Sequence, residues 1–414
     1  MKKRVVITGL GVIAPNGTGK QEFWENIIHG RSFIKSIERF DASQYPSRLA
    51  GEIKGFRPED FMPLRLAKKI DRFTQYALVA SDLAIRDANL ALDAEDSGKI
   101  GIIIGNCLGG WEFAETELRN LYTQGVAGVS PFQATAWFPP APQGQISIYY
   151  KIKGYAKTVV ADRASGNVAI GYAARLIEEG SADVVLAGGS EAPVSPYALL
   201  CCNTGNLLST RNENPAAAYQ PFDQNRCGMV IGEGAGILIV EELEHALRRG
   251  ARIYAEVKGF GWTSDGYHTT EFAPDGLQYA RAIKTALQQG DTTPEAVDYI
   301  CADGLGSRVG DAIETRVIKH VFQEHAAKLA VSAPKSMFGN LLGASGVIDA
   351  IIGIMAMNDG IVPPTVHYET PDPECDLNYV PNQSIQRNLD CVMVLSRGQG
   401  GVNAALLLNK FKKE

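Results

Sequence analysis

The chain has 414 residues, 45% of them hydrophobic and 21% charged, with a net charge of −6. That length suits a large buried core or two fused halves, and the acidic balance argues against a nucleic-acid partner, which would reward a basic face. The seven cysteines form no CxxC pair and have no histidine at metal spacing, which leaves no disulfide scaffold or metal site and fits a reducing, cytoplasmic setting; no apolar run reaches the roughly 18 residues of a membrane helix.

In chain order, Val5-Val6-Ile7-Thr8-Gly9-Leu10-Gly11 reads as a buried strand entering a turn. The apolar run over 1–14 is interrupted by glycine and threonine and lacks an A-x-A site, so it reads as a strand and not as a signal peptide. Gly9-x-Gly11-x-x-Ala14 matches a loose dinucleotide fingerprint, but Pro15-Asn16-Gly17 stands where a helix should begin. Gly19-Lys20 lacks the upstream glycine and following hydroxyl residue of a P-loop, so no cofactor is expected. A helix is predicted over 20–29, a loop-rich stretch over 30–60 and a long helical region over 64–90. A strand over 101–105 opens through Asn106-Cys107-Leu108-Gly109-Gly110 into a helix over 111–122. Prolines 131, 139, 140 and 142 predict a rigid segment over 130–150 and not a long helix.

Residues 159–171 form the organising unit: a β-branched strand, a sharp turn and the start of a helix that ends at Gly180. A second strand follows over 183–187. Such an elbow usually presents a reactive side chain where the helix N-terminus favours negative charge. Here it presents Arg163, a cation that suits neither a nucleophile nor the helix. Strands over 228–241 and 253–261, helix 276–289, strand 298–302, helix 309–324, strand 329–332, helix 345–357 and strands 390–396 and 403–409 complete an alternation that predicts an α/β protein with mostly parallel buried sheets. Gly9-Leu10-Gly11 echoes Gly259-Phe260-Gly261, and Ala164-Ser165-Gly166 echoes Ala344-Ser345-Gly346. These echoes suggest a duplication with a seam near 250, dividing the chain into halves 1–250 and 251–414.

The blocks Val6-Ile7-Thr8-Gly9-Leu10-Gly11, Ala187-Gly188-Gly189-Ser190-Glu191, Gly232-Glu233-Gly234-Ala235-Gly236, Ser264-Asp265-Gly266-Tyr267-His268 and Lys335-Ser336-Met337-x-Gly339 together resemble the β-ketoacyl-(acyl carrier protein) synthases from end to end. The resemblance implies the thiolase fold: duplicated βαβαβ-type halves in a five-layer αβαβα sandwich, assembled as a dimer. It also implies a cysteine at the elbow that carries the acyl group and two histidines that stabilise the enolate of a decarboxylating malonyl unit. Those positions fall here on Arg163, Asp303 and Asn340. Arginine is protonated at any working pH, and aspartate would repel an enolate, so the resemblance leaves the chain with degenerate positions and no catalytic residue. In a dry pocket a cation, an anion and an amide could satisfy one another, so Arg163 is expected to turn toward Asp303 and Asn340.

Gly109-Gly110-Trp111-Glu112-Phe113, Ala136-Trp137-Phe138 and Leu395-Ser396-Arg397-Gly398-x-Gly400-Gly401-x-Asn403 resemble in particular the chain-length factor, or ketosynthase β subunit, of type II polyketide synthases. That resemblance implies a non-catalytic subunit, not an enzyme alone. It would pair with an active ketosynthase α subunit and shape the polyketide tunnel, with the acyl carrier protein bound mainly through the partner. Trp111, Ala114 and Leu118, at i, i+3 and i+7 on one helix face, would then set the tunnel length, and Leu108 and Gln399 would stand at the gate. Two rivals remain: a free-standing malonyl-decarboxylating or condensing acyltransferase using Arg163, and a purely structural ketosynthase partner. Cys107 and Cys301 read as inert packing thiols, and Lys335, Asp311 and Glu314 as structural groups. Leu305 and Ser307 stand where active members hold a pantetheine arm.

Overall fold

The structure, a computed structural model, describes residues 2–413, so Met1 and Glu414 lie outside the described residues. The main sheet follows a path of ten strands: β1 Val5–Ala14, β2 Ile100–Gly105, β3 Ala156–Val159, β4 Val184–Glu191, β5 Gly234–Glu242, β6 Ala255–Ser264, β7 Tyr299–Cys301, β8 Ala330–Ser332, β9 Cys391–Gly398 and β10 Val402–Asn409. They lie in the order β8-β7-β9-β10-β6-β1-β5-β4-β2-β3. Each set of five therefore repeats one pattern, third-second-fourth-fifth-first. The sets meet where β1 pairs antiparallel with β6, at Val6↔Glu256 and Ile7↔Ala255.

The expectation of mostly parallel sheets is corrected. Pairs β2–β3, β2–β4, β7–β8 and β7–β9 are parallel, but β5 runs against β4 and β1, and β10 against β9 and β6. The β9–β10 link is a hairpin through Gly400 and Gly401, both left-handed at φ 80 and 84, and so short a link joins only antiparallel strands. Strands buried on both faces carry no alternation that would reveal direction.

The main helices are α1 Lys20–Ile28, α2 Arg72–Asp87, α3 Trp111–Gln124, α4 Ser165–Glu178, α5 Leu277–Gln289, α6 Arg308–Phe322 and α7 Ser345–Asp359. Successive strand residues point to opposite faces, and this sorts the core into layers. On β5, Leu238 and Val240 join the cluster of Ile170 and Ile351 from α4 and α7, while Ile237 and Ile239 join Phe73 and Ala77 of α2. On β10, Leu406 and Leu408 face the same central helices, while Leu407 joins Ile283 and Ile318 of α5 and α6. The result is α2, sheet, α4 with α7, sheet, α5 with α6: the αβαβα sandwich.

The echoed tripeptides lie where the central helices touch. A Cβ on Gly346 would sit 2.6 Å from the Asn167 backbone nitrogen, and one on Gly166 3.0 Å from Gly343 O. Residues Leu342–Asp359 are long and apolar enough to cross a membrane by length and mean composition, but they are interrupted by Asp349 and 83% of that stretch is buried inside the protein.

Two local expectations change. The helix over 64–90 is broken, because the Asp71 carboxylate accepts the Phe73 N–H at 3.1 Å and caps a fresh start at Arg72. Residues 130–150 do contain a helix, Ala141–Tyr150, since Pro142 falls in its first turn, where a missing N–H costs nothing. At the far edge, β3 leaves Ile148, Tyr149, Tyr155 and Val160 exposed around it in this single chain.

Candidate active site at the helix elbow

β3 ends at Val159 and α4 begins at Ser165. Between them Asp162 adopts φ 50, a left-handed conformation that costs a non-glycine residue free energy. Three contacts hold it. Its Oδ2 lies 3.0 Å from Arg163 Nη1 and accepts the Gln399 N–H at 2.5 Å, and its Oδ1 accepts the Cys107 thiol at 3.0 Å. Burial alone would raise this carboxyl, but Arg163, the Cys107 thiol and the Gln399 N–H outweigh it and keep the group below the ordinary carboxylate range. For Cys107 the same geometry works the other way: burial first, then the charges of Asp162 and Glu191, push the thiol well above its usual range. Cys107 is therefore a protonated donor and not an activated nucleophile.

Arg163 is only 2% exposed. Its Nη1 engages Asp162, while Nε and Nη2 are buried without a hydrogen-bond partner. The expected turn toward Asp303 and Asn340 is not the pairing observed. The partner of Asp303 is Arg397, whose backbone N–H reaches Oδ1 at 3.2 Å and whose Nε lies 3.5 Å from Oδ2. Arg397 is itself 1% exposed, under Phe272 and Tyr279, with Nη2 donating to Gly310 O at 2.8 Å. A buried guanidinium needs an anion, and Asp303 supplies it. Asn340 Oδ1 accepts the Leu342 N–H and the Ser345 hydroxyl, both at 2.9 Å, which pins the entry to α7.

A further set of buried charges shapes the Asp303 loop from beneath. Glu314 accepts the Asp303 and Gly304 N–H groups and the Tyr279 hydroxyl, each at 2.9 Å. Lys335 donates to Ala302 O and Asp303 O at 2.8 and 2.9 Å and pairs with Asp349 at 2.7 Å. Asp311 accepts the Phe222 and Gly306 N–H groups at 2.8 and 3.0 Å. Ser307 spends its acceptor on the Gly310 N–H as the N-cap of α6, and Leu305 is fully buried.

Gln399 is drawn to the elbow by its backbone N–H on Asp162, whereas the backbone of Leu108 is held by Glu191. Glu191, at the end of β4, accepts the N–H groups of Cys107, Leu108 and Gly343 at 2.7, 3.1 and 3.1 Å, tying the loop after β2 to the turn before α7. Burial pushes this carboxyl up to about 7 against the pull of those donors. Trp111, Ala114 and Leu118 lie on α3. Ala114 is buried, Leu118 is 47% exposed, and the Trp111 ring stands 4.6 Å from Tyr197 and 6.2 Å from Trp137. Among the described residues, no group of three or more histidine, cysteine or acidic side chains could hold a metal.

Sequence reasoning passed over Asp162, Glu191, Asp349 and Arg397. Asp162 and Arg163 were legible as adjacent opposite charges, and Glu191 and Arg397 stood inside quoted blocks without a role. Asp349 gave no signal, being an acid in an apolar helix whose partner lies in another segment.

Residues 2–246 match the family described as Beta-ketoacyl synthase, N-terminal domain, and residues 254–369 its C-terminal domain. The chain is 43% identical over 411 residues to the 3-oxoacyl-[acyl-carrier-protein] synthase 2 of Synechocystis sp., and 40% identical over 409 residues to that of Coxiella burnetii, each match covering 99% of both chains. Among solved structures, the ishigamide ketosynthase/chain length factor superposes with a TM-score of 0.92 at 33% identity over the whole of both chains. A type II polyketide synthase acyl carrier protein in complex with its ketosynthase, bound to the hexaketide, gives 0.91 at 32%, again over both whole chains. These superpositions are to ketosynthases of the thiolase fold, which the chain shares. They also correct the functional expectation. Relatives matched from end to end at 40–43% identity are named synthases, so neither the non-catalytic chain-length factor nor the assignment as a non-enzyme stands. That expectation gave three short blocks and three altered positions more weight than the remaining length of the chain. With both family domains matched and near-complete alignment to such synthases, the chain belongs to the beta-ketoacyl synthase family.

Proposed function

We propose that this chain acts on acyl groups carried as thioesters on an acyl carrier protein, in the carbon–carbon bond-forming chemistry of a 3-oxoacyl-[acyl-carrier-protein] synthase, without forming an acyl-enzyme at residue 163. The observation that carries this reading is the 43% identity over 99% of the chain to a protein of that name. In such a condensation a malonyl group loses CO2, the electron pair released attacks the carbonyl of a second acyl thioester, and the thiolate of that thioester leaves. Arg163 cannot accept the acyl group, because its guanidinium stays protonated, so the acyl group stays on its carrier until attacked. The chain's own residues then bind and orient the reactants. Leu108 and Gln399 flank the approach to the elbow, and the α3 face of Trp111, Ala114 and Leu118 limits the acyl chain accepted. On this reading, Trp111→Ala shifts the preferred substrate toward longer chains.

The partners on this reading are the carrier protein and a second chain of the same family. The exposed apolar residues around the β3 edge support that pairing, since an open strand edge is a ready docking site. The free cysteines suit a reducing cytoplasm. The test is to incubate the purified chain, alone and with a co-expressed second family member, with malonyl- and acyl-carrier proteins. The expected result is a 3-oxoacyl-carrier product by mass spectrometry with no acyl adduct on this chain. An absence of product above the protein-free control in both arrangements would overturn the proposal.

A further inference from the structure

We infer that Asp71 is a positioning residue for acyl-chain selection: its carboxylate fixes where α3 starts, and so which chain length the Trp111 face admits. This rests on the reading that the α3 face limits the acyl chain accepted, and adds the group that holds that face in place. Three observations meet here. First, packing alone does little to place α3. Of its 14 residues only Ala114 and Glu117 are buried in this single chain, where a helix usually buries a full apolar stripe. The chain enters it through two glycines, Gly109 left-handed at φ 79 and then Gly110 as N-cap. Glycine leaves that entry free to swing and offers no side chain to the unpaired N–H groups of the first turn.

Second, Asp71 supplies the missing cap from another helix. Its Oδ1 accepts the Phe73 N–H at 3.1 Å and caps α2, while its Oδ2 accepts the Phe113 N–H of α3 at 2.7 Å. One carboxylate thus caps two helices. The seat is close: a Cβ on Gly110 would meet the Asp71 Cβ at 2.7 Å. Burial pushes this carboxyl up to about 7 against the pull of both N–H donors, so its charge is held there at a cost that the two caps offset. Third, the ties along α3 are polar. Glu115 accepts the Ser195 hydroxyl at 2.5 Å and the Tyr197 N–H at 2.9 Å, and Glu117 accepts the Ser130 N–H at 2.5 Å. In the first turn, which carries Trp111, Arg72 grips Glu112 at 2.7 and 3.0 Å beside the Asp71 bond. The Arg72–Glu112 pair keeps contact with solvent and is worth less than its geometry suggests, whereas Asp71 is 3% exposed. The buried carboxylate is therefore the firmer tie, two residues from the Trp111 ring.

The test separates the two caps. Asparagine and serine are both good helix N-caps, so Asp71→Asn and Asp71→Ser keep the local cap on α2. Asparagine then turns its NH2 group toward the Phe113 N–H, and the single serine oxygen is spent on Phe73, so both variants lose the tie to α3. Hydrogen exchange of the whole protein reads the helices, and titration calorimetry reads the affinities of butanoyl-, octanoyl- and dodecanoyl-pantetheine. Loss of a hydrogen bond to a charged acceptor should speed exchange in the first turn of α3 at least about tenfold, with the α2 amides still protected. The wild type should show a drop in affinity of at least about tenfold at one step in chain length, and both variants should shrink that step below about threefold. Unchanged α3 exchange in both variants, or a loosened α3 with the length step intact, would overturn the inference alone. A wild type whose affinity does not depend on chain length would sink the reading of the α3 face on which the inference stands.

Discussion

Asp162 and Arg163 are neighbours in sequence and partners in space, with Oδ2 and Nη1 3.0 Å apart and the guanidinium almost wholly buried. Removing one member of a buried pair leaves the other uncompensated. Asp162→Asn should cost about 2–3 kcal/mol in urea unfolding, toward the lower side because the carboxylate keeps some solvent contact. Adding Arg163→Met in the same chain should recover part of that loss. Because the folded Asp162 titrates below its ordinary value, its contribution is complete above an unfolded pKa of about 3.9 and fades as pH falls through the lower folded value. The Asn variant should flatten the acid limb of stability against pH.

His245 bridges Glu241 at 2.6 Å and Glu95 at 2.9 Å. Burial opposes its charge, but hydrogen bonds to both acids outweigh that and raise it above its ordinary value. A raised histidine stabilises fully below its unfolded pKa of about 6.5 and loses that contribution as pH climbs through the folded value. Stability of the wild type should therefore fall more steeply above neutrality than that of His245→Gln. Proton NMR should place the His245 midpoint above 6.5, and a midpoint at or below it would contradict the bridge.

Two glycine-to-alanine substitutions should move stability in opposite directions. At Gly346 a Cβ would meet the Asn167 backbone at 2.6 Å, so the central helices must part, at a cost of about 1–3 kcal/mol. At Gly144, inside the helix Ala141–Tyr150, nothing lies within 4 Å, so alanine should stabilise by about 0.5–1 kcal/mol through helix propensity. Urea midpoints of the two variants decide it.

Alkylation should rank the thiols by environment. Cys201 and Cys227 are exposed, whereas Cys107 is half-buried, tied to Asp162 and pushed well above its usual range. Iodoacetamide at pH 8 should label Cys201 and Cys227 first, and Cys107 only after denaturation. Early labelling of Cys107 would contradict the electrostatics described for the elbow.

The layered fold was largely legible in the chain. The run of buried strands, the glycine-stopped helix after Ser165 and the repeated Ala-Ser-Gly pointed to a doubled α/β fold, and the layered sandwich came from the resemblance to the β-ketoacyl synthases. Strand direction was not legible, because Leu238 and Ile239 are equally apolar and read alike whichever way β5 runs. The cap at Asp71 is a local bond from Phe73 N–H and was open to sequence reading, whereas its second acceptance, from Phe113 N–H 42 residues away, was not. At the elbow, residue types were readable and their pairing was not. Arg163, Asp303 and Asn340 were found by position, but which acid each arginine would take depended on Asp162 and Arg397, whose roles exist only once the loops close.

The two sets of five strands in the main sheet join at only two paired positions, yet both press on the one central layer of α4 and α7. Neither repeat thus owns a complete interior. Cut the polypeptide between them, and each fragment would bare a broad greasy surface that only its sibling can cover. Melting should consequently proceed as a single concerted event, with neither set of five strands surviving alone.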